Sequence, residues 1–254
     1  MKNHQVAALA LAVSAVAALS GCGTGPIDAF GLLPDALSSG LLAHWSFDEG
    51  TGSTVADSSG HGHDGGLSGT TWSWLPEGRF GAALHLQQGD CVTVDDFPDA
   101  TPGWTVAVWV RFATQSPAVG EVTVISTEDV FRGGWEINLI DTDLRYHFGF
   151  FRGPGSSDYT SYDCTGCIHP DQWQHLAAVV DGAASTMAFY LDGVLQNRQS
   201  IAQAILPGVP RLYMGRWATT EPARLLVSSL DDVAIWNRAL VSAEVALLTQ
   251  APAP

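Results

Sequence analysis

A chain of 254 residues that is 46% hydrophobic can fill one large core, and its 27 glycines and 13 prolines divide it into short segments joined by turns. Its formal charge of −15, from 26 acidic residues against 11 basic ones with Lys2 the only lysine, excludes nucleic acid and anionic lipid surfaces as partners, because both are held by clusters of Lys and Arg. The same acidity is compatible with calcium, which takes carboxylate and carbonyl oxygens.

Residues 1–21 read as a secretory signal. Lys2 precedes an apolar run from Val6 to Leu19 that only Ser14 interrupts, too short for a membrane helix of about 20 residues. Leu19-Ser20-Gly21-Cys22 resembles the bacterial lipobox, in which the cysteine becomes the lipidated first residue. Gly23 stands where an Asp would mark inner-membrane retention, so an outer-membrane location is expected, with the membrane met only through lipid on Cys22. Residues 22–40, rich in Gly, Pro, Ala and Ser, read as a flexible tether. A short helix between Ala29 and Leu37 is the alternative.

From residue 41 to about 250 the pattern is that of one globular domain. Leu41, Ala43, Trp45 and Phe47 alternate up to Asp48 and predict a half-buried strand. A loop rich in Gly and Asx follows, from Asp57 to Gly66. Strands are predicted over 83–87, 91–94, 104–112, 122–126, 135–140, 144–151, 173–180, 186–191, 194–199, 212–216 and 226–236, each bounded by Gly, Pro, Asp or Asn. Many short strands with almost no helix make an all-β, antiparallel two-sheet sandwich the expected fold. Asp192-Gly193 between two apolar strands is the sharpest hairpin signal, and Asp141-Thr142-Asp143 reads as a second. Ser242 is placed to cap the one predicted helix, Ala243 to Thr249.

The segments Ala43-His44-Trp45-Ser46-Phe47-Asp48-Glu49-Gly50, Ala56-Asp57-Ser58-Ser59-Gly60, Phe80-Gly81-Ala82-Ala83-Leu84 and Trp104-Thr105-Val106-Ala107-Val108-Trp109-Val110 occur in an order that resembles the concanavalin A-like lectin/glucanase superfamily. The closer likeness is to its bacterial laminin G-like domains. Trp173-Gln174-His175-Leu176-Ala177, Tyr190-Leu191-Asp192-Gly193-Val194 and Leu230-Asp231-Asp232-Val233-Ala234-Ile235-Trp236 extend it. The resemblance implies a jelly roll whose first and last strands are neighbours, and a role in carbohydrate or surface recognition. Fold alone does not fix function, so each site is argued from its residues.

If the terminal strands meet, Asp48 and Asp231 converge and become candidate calcium ligands, with loop carbonyls completing the shell. His61 and His63 flank Gly62, but no third His lies at ligating spacing, so zinc is not expected there. Cys164-Thr165-Gly166-Cys167 reads as a small loop-closing disulfide in an exported protein, leaving Cys91 free, although either loop cysteine could pair with Cys91.

The Glu-x-Asp-x-Glu run that sets two carboxylates beside a glycosidic bond is not present, nor is a Gly-x-Ser-x-Gly elbow, so an enzyme is not expected. Alternation instead places Trp135, Ile137 and Leu139 on one face and Glu136 and Asn138 on the other. On the next strand Leu144, Tyr146, Phe148 and Phe150 oppose Arg145 and His147. Glu136, Asn138, Arg145 and His147 would then form a polar patch, and Tyr213 and Trp217 could add sugar-stacking rings. The expected function is non-catalytic binding of a glycan or cell-surface ligand by an exported lipoprotein. The competing readings are a divergent glycoside hydrolase and an adhesive envelope protein with a protein partner.

Overall fold

The computed structural model describes residues 33–98, 102–113, 121–127, 133–140, 144–151, 159–201, 208, 210–216 and 227–254. Among them, sixteen strands form two antiparallel sheets of eight. The first sheet runs, in spatial order, β14 (Val194–Ser200), β13 (Thr186–Leu191), β12 (Trp173–Asp181), β7 (Gly103–Phe112), β16 (Ser228–Trp236), β5 (Ala83–Leu86) and β4 (Ser73–Leu75). Its eighth strand, β1 (Leu41–Trp45), also pairs with β16. The second sheet runs β11 (Tyr159–Cys164), β10 (Arg145–Phe151), β9 (Gly134–Ile140), β8 (Glu121–Ser126), β15 (Arg211–Met214), β6 (Cys91–Asp95), β3 (Gly65–Ser68) and β2 (Thr54–Val55). This is the jelly-roll sandwich expected from the sequence.

Alternation decides what lies between the sheets. Val106, Val108 and Val110 of β7, Leu176 and Ala178 of β12, and Val233 and Ile235 of β16 point inward to meet Ile137, Leu139, Phe148 and Phe150 of the second sheet. Trp104 and Trp135 stack across the gap with ring centroids 4.7 Å apart.

The outer face of the first sheet is also covered. Ala107, Ala177, Tyr190, Ala234 and Trp236 form a second apolar layer there with Leu37, Val245, Leu248 and Ala253. Two short helices supply part of this cover: α1 (Leu33–Ser38) and α2 (Ser242–Leu247). The stretch just before the first strand is therefore helical and docked: Trp236 Nε1 donates to Leu37 O, and the Arg238 guanidinium donates to Ala36 O and Ser39 O, each at 2.6 Å. Residues 1–32, with the signal segment and Cys22, lie outside the described residues. No helix among the described residues is long and apolar enough to cross a membrane.

Ser242 does not cap α2. Its hydroxyl meets Tyr190 OH at 2.9 Å, and the helix entry is closed instead by Glu244 Oε2 accepting from the Val241 N–H at 2.8 Å. The Asp192-Gly193 turn does join β13 to β14, with φ of 49° and 76° at its two residues, the left-handed pair that a tight hairpin needs. Strands β9 and β10 pair antiparallel with Ile140 opposite Arg145; the turn at 141–143 lies outside the described residues. Cys164 and Cys167 are disulfide-bonded, and Cys91 is free and buried.

Candidate functional site

The terminal strands do meet. Ala43, His44 and Trp45 stand opposite Ile235, Ala234 and Val233. A bulge interrupts the β16–β7 register between Asp231 and Ala234, with Asp232 at φ 47°. On a regular strand neighbours face opposite ways; the extra residue turns both carboxylates toward the outer face.

Asp232 is then buried against His44, Nε2 to Oδ1 2.6 Å, and accepts the Ala253 N–H. Ser58 Oγ sits 2.8 Å from His44 Nδ1 and donates to His44 O at 3.0 Å. Ser58, His44 and Asp232 are the residue types of a hydrolase triad; here the hydroxyl lies within hydrogen-bond reach of both the ring and the backbone carbonyl of His44, and the ring bridges hydroxyl and carboxylate. That arrangement ties four segments together.

Asp48 and Asp231, the expected calcium ligands, converge on one loop. Asp231 Oδ2 accepts the N–H groups of Arg79 and Phe80 at 2.6 and 2.9 Å, and Asp48 Oδ1 accepts the Ala82 N–H at 2.7 Å. A Cβ at Gly78 or Gly81 would collide with these carboxylates, so the loop's glycines permit the approach. The partners seen here are amide donors, whereas a calcium shell is built of oxygens. Asp231 Oδ1 is buried without a hydrogen-bond partner. Burial pushes the Asp231 carboxyl up to about 7, with the Asp232 charge adding to the rise and the Phe80 and Arg79 amides opposing it.

Beside this loop, on the outer face of the first sheet, lies an open cavity of about 300 Å³ lined by Leu75, His85, Arg111, Ala113, Asp171 and Ser229. Strand register explains it: His85 of β5 stands opposite Ser229 of β16, Ser229 opposite Arg111 of β7, and Arg111 opposite Trp173 of β12. One row of side chains thus crosses four strands. The Arg111 guanidinium lies 5.0 Å from the centre of the Trp173 ring, and His85 Nδ1 is 3.1 Å from Ser229 Oγ. Burial, reinforced by the Arg111 charge, holds the His85 imidazole below its usual range.

The residues read as a polar patch are brought to one face of the second sheet. His147 stands opposite Asn138, Gly149 opposite Glu136, and Tyr213 opposite Ser126, which itself faces Glu136. Most of this face is buried, however: Asn138 is 0% exposed, Glu136 3%, His147 8% and Tyr213 8%. The Arg145 side chain, 31% exposed, is the one of the described set that reaches solvent substantially; it pairs with Asp163 at 3.4 Å. Trp217 lies outside the described residues.

Sequence reading missed Glu121, because the strand was started one residue late at Val122. It missed Asp163 because Tyr159–Cys164 is too polar to read as a strand. The cavity residues carry no local motif, since only the pairing of four distant strands lines them up.

The chain belongs to the concanavalin A-like lectin/glucanases superfamily, whose laminin G family model matches residues 86–246. No curated protein sequence is similar enough to count as a match. Among solved structures, the botulinum neurotoxin serotype D binding domain is similar over 85% of this chain and 52% of its own, at 12% identity and a TM-score of 0.65. The binding domain of Paraclostridial Mosquitocidal Protein 1 is similar over 84% and 52%, at 16% identity and 0.64. The receptor binding domain of botulinum neurotoxin D is similar over 84% and 53%, at 12% identity and 0.64. The chain spans about half the length of these solved chains, and at such identities the likeness is one of fold.

Proposed function

We propose that this domain is a non-catalytic binding module for a carbohydrate of the cell surface, carried by an exported lipoprotein held in the outer membrane through Cys22. The observation that carries the reading is the open cavity on the first sheet. It sets a guanidinium stacked on an indole beside a carboxylate, a hydroxyl and an imidazole, with Leu75 and Ala113 as apolar walls. Sugars present hydroxyls that both donate and accept, together with apolar C–H faces, and such a lining answers both. The family and the binding domains that share its fold support a binding role.

Of the residues first expected to touch ligand, Arg145 is the substantially exposed one among those described, at the rim of the second sheet, while Glu136, Asn138, His147 and Tyr213 are buried and take no part in this binding reading. A structural calcium belongs to the same reading as a separate component. It would rest on Asp48, Asp231 and the unpartnered Asp231 Oδ1, and chelator sensitivity of the melting temperature separates it from ligand binding.

The test is a glycan array with the full chain, followed by titration of any bound glycan against His85→Gln and Asp171→Asn. We expect each variant to weaken binding about tenfold, the effect of losing roughly one hydrogen bond. A blank array, or a bound glycan indifferent to both variants, overturns the cavity as the site. Release of reducing ends from a polysaccharide would instead establish a hydrolase.

A further inference from the structure

The outer face of the second sheet holds a constellation that the binding reading does not use. Glu121 of β8, Glu136 of β9 and His147 of β10 each bring one ligand-type atom within 4.8 Å of the other two. They come from three adjacent strands: Asn138 stands opposite Thr123 on one side and His147 on the other, and Glu121 and Glu136 flank that rung from opposite ends of the same face, so that their side chains converge by reaching toward it.

The histidine is already oriented as a metal ligand would be. Its Nδ1 is 2.6 Å from Asp163 Oδ1, which leaves Nε2 turned to Glu136 Oε1 at 3.9 Å. That distance is too long for a hydrogen bond, but it suits two ligands each about 2.0–2.2 Å from one ion. A carboxylate behind the imidazole is the usual outer partner of a ligating His, since it fixes ring and tautomer.

The second, independent observation is Asn138. Its side chain is fully buried, its Nδ2 donates to Glu121 Oε1 at 2.7 Å, and its Oδ1 has no hydrogen-bond partner. The carboxamide is therefore tied to Glu121 at the cluster and keeps a bare oxygen. Two further buried hydroxyls on this face, Thr123 Oγ1 and Ser126 Oγ, are likewise without partners. A fully buried acceptor left unmatched is costly unless something electropositive meets it.

We propose that this face holds one first-row divalent metal ion, with zinc as the reference case. Glu121, Glu136, His147 Nε2 and Asn138 Oδ1 are its ligands, and Asp163 positions the imidazole. An imidazole among oxygen donors favours zinc or manganese over calcium and magnesium, which prefer all-oxygen shells. Four protein ligands close the shell, which makes the site structural: it would pin strands β8, β9 and β10 together. The site is separate from the cavity and from Asp48 and Asp231, and its failure would leave the binding reading intact.

The experiment is metal analysis of the full chain after saturation with zinc and exhaustive dialysis, paired with thermal melts. One zinc per chain is expected, with a melting temperature that chelator lowers and zinc restores. His147→Gln and Glu121→Gln should lose the ion, whereas His61→Ala with His63→Ala should keep it. Manganese retained at one per chain in place of zinc, and lost in the same two variants, also supports the proposal. Fewer than one ion in every preparation, a calcium-only response, or an ion that survives both ligand variants overturns it. If the variants do not fold, the wild-type chain decides: cobalt titration must give visible absorption with an endpoint at one equivalent and displacement by zinc, and no such band sinks the site.

Discussion

Burial acts in opposite senses on two groups that share one patch. His175 lies against Trp109, ring centroids 5.2 Å apart, and Asp231 stands opposite Trp109 on the neighbouring strand. Burial, helped by the Arg79 charge, lowers the His175 imidazole to about 3 from 6.5, and burial raises the Asp231 carboxyl to about 7 from 3.8. Between about pH 4 and 6.5 the folded chain keeps a proton on Asp231 that the unfolded chain has released, so this group's stabilisation is lost as pH rises through the folded value. Over the same range the unfolded chain protonates His175 while the folded chain does not, so this group's stabilisation is lost as pH falls below 6.5. The two slopes oppose each other. We predict that single variants unmask them: Asp231→Asn becomes less stable toward pH 4 relative to wild type, and His175→Leu becomes less stable toward pH 7. Each change in slope reaches at most about 1.4 kcal/mol per pH unit. Urea melts across pH 4 to 7.5 measure both, and parallel curves for all three proteins would refute the assignment.

At the scale of elements, the His44–Asp232 pair is the joint between the first and last strands. Both side chains are about 5% exposed or less, and Asp232 occupies the positive-φ position of the bulge. Asp232→Asn tests the charge apart from the backbone, because Asn tolerates that conformation. We expect a loss of about 2 kcal/mol, the cost of weakening a buried hydrogen bond to a carboxylate. His44→Phe combined with Asp232→Asn should cost less than the two single variants summed. A near-zero, additive result in denaturant melts would remove the joint.

Strands dense in β-branched and aromatic residues were legible in the sequence. Trp104 to Phe112 and Trp173 to Val180 are near-continuous apolar runs buried on both faces, and the structure ends each within one residue. Strands β2, β3 and β4 were not, being two to four residues long within a segment that reads as Gly-rich loop and irregular chain. Faces within one strand were predictable, as Glu136, Asn138, Arg145 and His147 show. Which distant strand would supply Glu121, Asp163 or Arg111 was not, because register across a sheet is set by the packing of both faces rather than by any local pattern.

For the whole molecule, the first sheet is clad on both sides, and α2 with the segment up to Ala253 forms much of the outer cladding. Deleting residues 242–254 would uncover Tyr190 and Trp236, remove the packing of Val245 and Leu248, and strip Asp232 of the Ala253 N–H. Two apolar side chains of that size are worth about 1.5–3 kcal/mol each, so the shortened chain should lose about 4 kcal/mol and bind a hydrophobic dye. An unchanged melting temperature without dye binding would show that the layer is dispensable.

The pairing of β1 with β16 also fixes how the fold answers to tension. Leu41, where β1 begins, stands opposite Trp236, where β16 ends. A pull applied through the two chain ends therefore loads that ladder at one rung, so its hydrogen bonds part in sequence, like a peel, and do not share the load as they would in shear. The clamp of Trp236 on Leu37 O and of Arg238 on Ala36 O and Ser39 O, with Glu244 holding the guanidinium from α2, sits where the peel would start. A pull through the segments that flank these two strands thus meets the clamp of Trp236 and Arg238 first, and the ladder bonds behind it stay unloaded until that clamp yields.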